Sequence, residues 1–133
     1  MGKIKRRVRI SDNQKYENIK VMFDTIPYVC HLWNRDFKMI DCNEVSLRLF
    51  NLSRKEEFIE RFYEFSPEYQ PDGALSSEKA VYHLARAFED GKNVFPWMHV
   101  SADGGPIPCI ITTTRVKLRG DDFVVAYLSD QSE

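Results

Sequence analysis

The side chains able to do acid–base or metal chemistry are few: three histidines, His31, His83 and His99, and three cysteines, Cys30, Cys42 and Cys109. Covalent catalysis needs a nucleophile, a base beside it and a group that orients the base. Serines and acids accompany the histidines, but no spacing links them. G-x-S-x-G, H-E-x-x-H, the phosphate-cradling loop and the dinucleotide fingerprint are all missing from the sequence. A non-catalytic chain is expected. An odd number of cysteines without C-x-x-C spacing argues against a disulfide framework or a zinc site. Buried thiols in a reducing compartment, and no metal, are expected instead.

The elements that must position these groups centre on residues 66–91. Ser66-Pro67-Glu68-Tyr69-Gln70-Pro71-Asp72-Gly73 carries two prolines, an Asp and a Gly, so it reads as a loop. A helix follows, with Ser76 as its cap, Glu78 in its first turn and Gly91 as its left-handed stop. Val81, Leu84, Ala85 and Phe88 recur at i, i+3, i+4 and i+7, the stripe of a helix laid on a sheet.

Ahead of it, Lys3, Lys5, Arg6, Arg7 and Arg9 read as a solvated basic tail. Ser11-Asp12-Asn13-Gln14 has the form of a capping box for an amphipathic helix with the stripe Tyr16, Ile19, Phe23 and Ile26, ended by Pro27. That stripe is buried either on the chain's own sheet or against a second copy. The domain division expected is 1–26, tail and amphipathic helix, and 27–133, the main domain.

Residues 28–33 and 38–42 read as strands around the turn Asn34-Arg35-Asp36-Phe37. Asn43 starts a helix through Phe50, and the capping box Ser53-Arg54-Lys55-Glu56 opens another with Phe58, Ile59 and Phe62 inward. Strands at 94–101, 107–118 and 123–129 follow, separated by Asp103-Gly104-Gly105-Pro106 and Arg119-Gly120-Asp121-Asp122. The economical solution is an α+β fold, a five-stranded antiparallel sheet with short helices packed on one face, plus the N-terminal amphipathic helix.

A composition of 43% hydrophobic and 13% aromatic residues argues for a packed core in one domain. Nineteen basic and 20 acidic residues give a net charge of -1, so no nucleic acid partner is expected. With no apolar run of membrane-spanning length and no signal-peptide core, the chain reads as cytoplasmic.

The ordered set of features resembles the PAS domain, a sensor module of bacterial signalling proteins, over Phe23 to Ser132. The carriers are Ile26-Pro27, Trp33-Asn34-Arg35-Asp36, Asn43-Glu44, Leu49-Phe50-Asn51-Leu52-Ser53 with Glu56, and the 66–73 loop. Gly91, Phe95-Pro96-Trp97, Asp103-Gly104, Pro108 and Asp130 complete the set. Asn51 departs from a common Gly but tolerates the left-handed region. Asp130-Gln131-Ser132 replaces the usual Asp-x-Thr exit, which makes Asp130 the expected point of signal exit.

The resemblance implies one module of a longer signalling protein such as a histidine kinase or diguanylate cyclase. It implies a small ligand, or haem or flavin, as cofactor candidates. Haem-binding relatives carry a His on the helix over the sheet; at about 100° per residue His83 projects roughly 150° from the stripe centre, toward solvent, which counts against haem. Covalent flavin chemistry needs a cysteine among the middle helices, and none lies between Cys42 and Cys109. Non-covalent flavin stays open.

If Phe95, Trp97 and His99 share the inner face of their strand, they form a pocket with Leu84, Phe88, Ile110 and Thr112. Plain core packing is the competing reading of the same aromatics. Tyr69 and Gln70 are the expected gate. Cys109, Ile111 and Thr113, of opposite parity, are expected on the outer face, and the expected homodimer uses Tyr16, Ile19, Phe23 and Ile111. Two rivals to this ligand-binding sensor are a haem- or flavin-bearing gas or redox sensor and a ligand-free dimerisation module.

Overall fold

In the computed structural model, which describes Val21 and residues 25–132, the main domain begins where a buried asparagine joins three segments. Asn43 Oδ1 accepts the backbone N–H of Ser46 and so caps the helix α1 (Glu44–Phe50). The same oxygen accepts the N–H of Cys30 on strand β1 (Val29–Trp33), and Nδ2 donates to the carbonyls of Tyr28 and Ile26. One side chain thus closes a helix end and fixes it to the sheet. Asn51 ends α1 in the left-handed region with φ 63°, as its short amide side chain permits.

Strand β2 (Met39–Cys42) pairs with β1 across a turn in which Asn34 Oδ1 accepts the N–H groups of Asp36 and Lys38. Helix α2 (Lys55–Glu60) and a 3-10 turn (Phe62–Phe65) follow α1. Arg54 stands at the start of α2 and no side-chain cap bond forms there, so the expected capping box is not made. Next come α3 (Ser76–Asp90) and three long strands, β3 (Lys92–Val100), β4 (Pro106–Leu118) and β5 (Asp121–Asp130). Arg119 and Gly120, both at positive φ, form the two-residue β4–β5 turn. The sheet order is β2-β1-β5-β4-β3, all neighbours antiparallel. This is the expected α+β architecture.

Helices and sheet enclose one large core, while Cys30, Leu32, Phe123 and Val125 form a smaller cluster on the opposite sheet face, with Ile26 against it. The expected N-terminal helix, with Tyr16, Ile19 and Phe23, lies outside the described residues. No helix among the described residues is long and apolar enough to cross a membrane.

Two expectations about α3 are corrected. Its buried residues are Ser76, Leu84, Ala87 and Phe88, whereas Val81 and Ala85 are exposed, so the buried stripe is rotated toward Ala80 and His83. Ser76 does not cap the helix; it is the first helical residue, and its hydroxyl instead accepts a bond from Gln70.

Candidate functional site

Residues directly opposite in an antiparallel pair share a face. Phe95, Trp97 and His99 point into the core, so their partners Ile111, Cys109 and Ile107 do as well. The parity expected for β4 is therefore reversed. Ile111 and Thr113 face inward, while Ile110 and Thr112 are half-buried on the opposite parity, and Ile111 is not available to a dimer interface. The cause is the five-residue connection 101–105 between paired Val100 and Pro106, which sets a register that composition cannot reveal.

Between α3 and the sheet lies a cavity of about 40 Å³. Ala80 and Leu84 close it from the helix, and Phe95, Trp97 and His99 wall it from β3. His31 and Trp33 of β1, Phe62, Ile111, Thr113, Ala126 and Leu128 complete it. No lining residue carries a formal charge. His31 was not foreseen here. Strand parity groups His31 with Val29 and Trp33 of the large core, but β1 is buried along its whole length, so alternation alone does not say which face is inner.

His31 and His99 are 1% exposed and sit in a cage of phenylalanines. Phe58 is 5.1 Å from the His31 ring, Phe50 is 5.0 Å from His99, and Phe62 stands 5.8 Å from both. Burial away from water disfavours imidazolium. It lowers the His31 pKa to about 3, with the neighbouring His99 adding to the shift, and lowers the His99 pKa to about 4, partly offset by the bond to the Phe65 carbonyl. Both rings are neutral at pH 7, and each has an Nε2 with no hydrogen-bond partner.

His83 corrects a further expectation. It faces the sheet edge rather than solvent, stacked on Phe95 with ring centroids 3.6 Å apart and planes 1° from parallel. Asn93 Nδ2 lies 3.0 Å from its Nδ1, and its Nε2 is buried without a partner. Burial, with Lys79 nearby, lowers its pKa to about 4.

The remaining site candidates lie outside the cavity. Phe88 packs on Phe37 with the Arg35 guanidinium 5.1 Å from its centroid. Tyr69 is 55% exposed and forms an isolated bridge with Leu75. Gln70, 3% exposed, latches the loop to edge strand β3: Oε1 accepts the Met98 N–H at 2.8 Å, and Nε2 donates to the Met98 carbonyl and to Ser76. A glutamine amide thus stands in for a sixth strand. Asp130 closes β5, accepting from the N–H and hydroxyl of Ser132.

Cys30, Cys42 and Cys109 are all buried. Burial, with Asp41 near Cys30 and Asp130 near Cys109, pushes both of those thiols up to about 12, far from a reactive thiolate. Among the described residues no cluster of three or more His, Cys, Asp or Glu could hold a metal ion. Haem and flavin need a pocket of several hundred Å³. Although His83 Nε2 has the chemistry of a haem ligand, its ring is closed against Phe95 and the 40 Å³ cavity admits neither group as formed.

No family model matches the sequence, and no curated protein does. Solved structures do. A PAS domain from a two-component sensor histidine kinase superposes with a TM-score of 0.64 at 8% identity, covering 91% of this chain and 100% of that one. The PAS domain of an HTR-like protein from Haloarcula marismortui gives 0.66 at 16% identity, covering 89% and 93%. The LOV protein of Rhodobacter sphaeroides gives 0.67 at 16% identity, covering 92% and 70%. Identities this low speak to architecture alone, and the architecture agrees over most of each chain: this polypeptide has the PAS fold.

Proposed function

We propose that the chain is a non-catalytic sensory module whose input is occupancy of the cavity between α3 and the sheet. The observation that carries this reading is the uncharged cavity that α3 closes on the sheet, with the caged imidazoles His31 and His99 among its lining residues and their Nε2 atoms buried without a partner. Leaving a buried polar atom without a partner costs about 1–3 kcal/mol. A ligand that relieves it gains affinity from the same source. The PAS fold, and its occurrence in a two-component sensor histidine kinase, support a signalling role.

Occupancy would press on Ala80 and Leu84 and shift α3 on the sheet, moving the balance between two packings. We place the readout in a cytoplasmic homodimer formed by residues 1–26, with Tyr16, Ile19 and Phe23, and the outer sheet face, where Val94 and Tyr127 are exposed. Asp130 then leads to an output domain of a longer signalling protein.

A small-molecule thermal-shift screen tests the site. A compound at a hundredfold excess over its Kd is expected to stabilise the wild-type protein by about 2.7 kcal/mol, several degrees in Tm. Ala80→Leu, which fills the cavity from the helix side, is expected to remove that response. An equal response in A80L would place the input elsewhere.

A further inference from the structure

We propose that the amide of Gln70 is a releasable latch between α3 and the free edge of β3, opened when the N-terminal half of α3 swings away from the sheet, a step that rests on reading the cavity as the input site. The two ends of α3 are held differently. Its C-terminal half is bonded directly to the sheet: Asn93 Nδ2 of β3 lies 3.0 Å from His83 Nδ1, and Arg115 of β4 donates to the Phe88 carbonyl. Its N-terminal end is bonded to β3 through the turn 68–75.

That turn belongs to the helix. The Ser76 N–H donates to the Glu68 carbonyl at 2.9 Å, the Gln70 N–H to the Ala74 carbonyl at 2.8 Å, and the Gly73 N–H to the Gln70 carbonyl at 2.8 Å. Tyr69 bridges Leu75, and Asp72 pairs with Lys79. Toward β3 the turn offers the Gln70 side chain, which exchanges two bonds with the backbone of Met98 and holds Ser76 with the same Nε2. Just upstream, Ser66 accepts the Trp97 indole N–H and the Phe65 carbonyl lies 2.9 Å from His99 Nδ1. The turn and the start of α3 therefore form one body between fixed points at Ser66 and His83, and the Gln70–Met98 pair is where it parts from the sheet.

Ala80 and Leu84 put the cavity under this body. Ser76 lies about two turns, roughly 10 Å, from the anchor at His83. The bonds from Gln70 to Met98 are 2.8 and 3.0 Å, and such bonds are lost beyond about 3.5 Å, so a swing of about 1 Å opens the latch. Opening frees both backbone groups of Met98, the pair that an added strand would use. Pro96, the next residue of the same parity, has no N–H to expose. An event in the interior is thereby read at the margin of the sheet.

Hydrogen exchange of the ¹⁵N-labelled full chain at the Met98 amide tests the latch. The Trp97 and His99 N–H groups, which face β4 by alternation, are the controls for general opening. Ala80→Leu wedges α3 from the sheet and is expected to speed Met98 exchange about tenfold while the controls hold. Gln70→Met, which keeps the chain length and removes the amide, is expected to speed it as much by itself, with no further gain on adding A80L. Ala80→Val serves as the wedge if A80L does not fold. Met98 exchange at the wild-type rate in the wedged protein overturns the latch, as does a rise shared by the controls or one of equal size with and without Gln70. No compound is added, so failure of the latch and failure of the cavity as a ligand site are read in separate experiments.

Discussion

Asn43→Ala is expected to lower the stability of the domain by about 4 kcal/mol, one of the largest effects any single exposed-looking polar residue of this sequence could have. Asn43 is fully buried and bonded to three segments at once. Alanine removes the cap of α1, costing about 1 kcal/mol. It also strands the buried Cys30 N–H, at about 1–3 kcal/mol, and removes the bond to the carbonyl of exposed Tyr28, at about 1 kcal/mol. Urea unfolding of the variant checks this through the midpoint, since the surface exposed on unfolding should be unchanged. A loss under 1 kcal/mol would mean the β1–α1 junction is held by packing alone.

Stability is expected to fall steeply as pH drops from 6.5 to 4, because His31 and His99 are buried neutral. The unfolded chain binds protons near pH 6.5, while the folded rings resist them down to about 3 and 4. Above pH 6.5 both states are neutral and the two rings add no pH dependence. Below it the unfolded state holds more protons, so unfolding becomes easier with each further drop in pH. Each fully buried ring approaches a slope of about 1.4 kcal/mol per pH unit below 6.5, so the pair removes roughly 3 kcal/mol between pH 6.5 and 5, and the half-buried His83, also lowered to about 4, adds a smaller loss of the same sign. The carboxylates held low by partners, Asp72, Asp103 and Asp122, act only at lower pH, which leaves this window to the imidazoles. Urea midpoints at half-unit steps measure it, and a flat profile from pH 7 to 5 would contradict the burial of the two rings. His99→Phe should remove between a third and a half of the slope, the remainder coming from His31 and His83.

Element order and class could be read from the residues because local chemistry marks them. Asn43 and Asn51 bracket α1, Gly91 stops α3 at φ 87°, and Arg119-Gly120 makes the last turn. Register could not. Whether Ile110 or Ile111 faces the core depends on pairing across an odd connection, and an error of one residue turns the whole strand over.

The face of α3 was misjudged for a related reason. Val81 and Ala85 supply an apolar stripe that the fold leaves exposed, while His83, polar by composition, is the residue stacked on Phe95. Ser76 looked like a cap because its type favours that role, but Gln70, six residues earlier, claims its hydroxyl. The site's most telling member, His31, sits on a strand buried on both faces, where alternation gives no contrast to read.

Crystals of the full chain pressurised with xenon test the central claim most directly, because an apolar cavity open to small molecules takes up xenon without needing any guess at the natural ligand. The account predicts one strong xenon peak enclosed by Trp33, Leu84, Trp97, Ile111 and Leu128, with α3 displaced from the sheet at Ala80. Xenon bound only on the outer sheet face, with the space beside His31 and His99 unfilled and α3 unmoved, would contradict it.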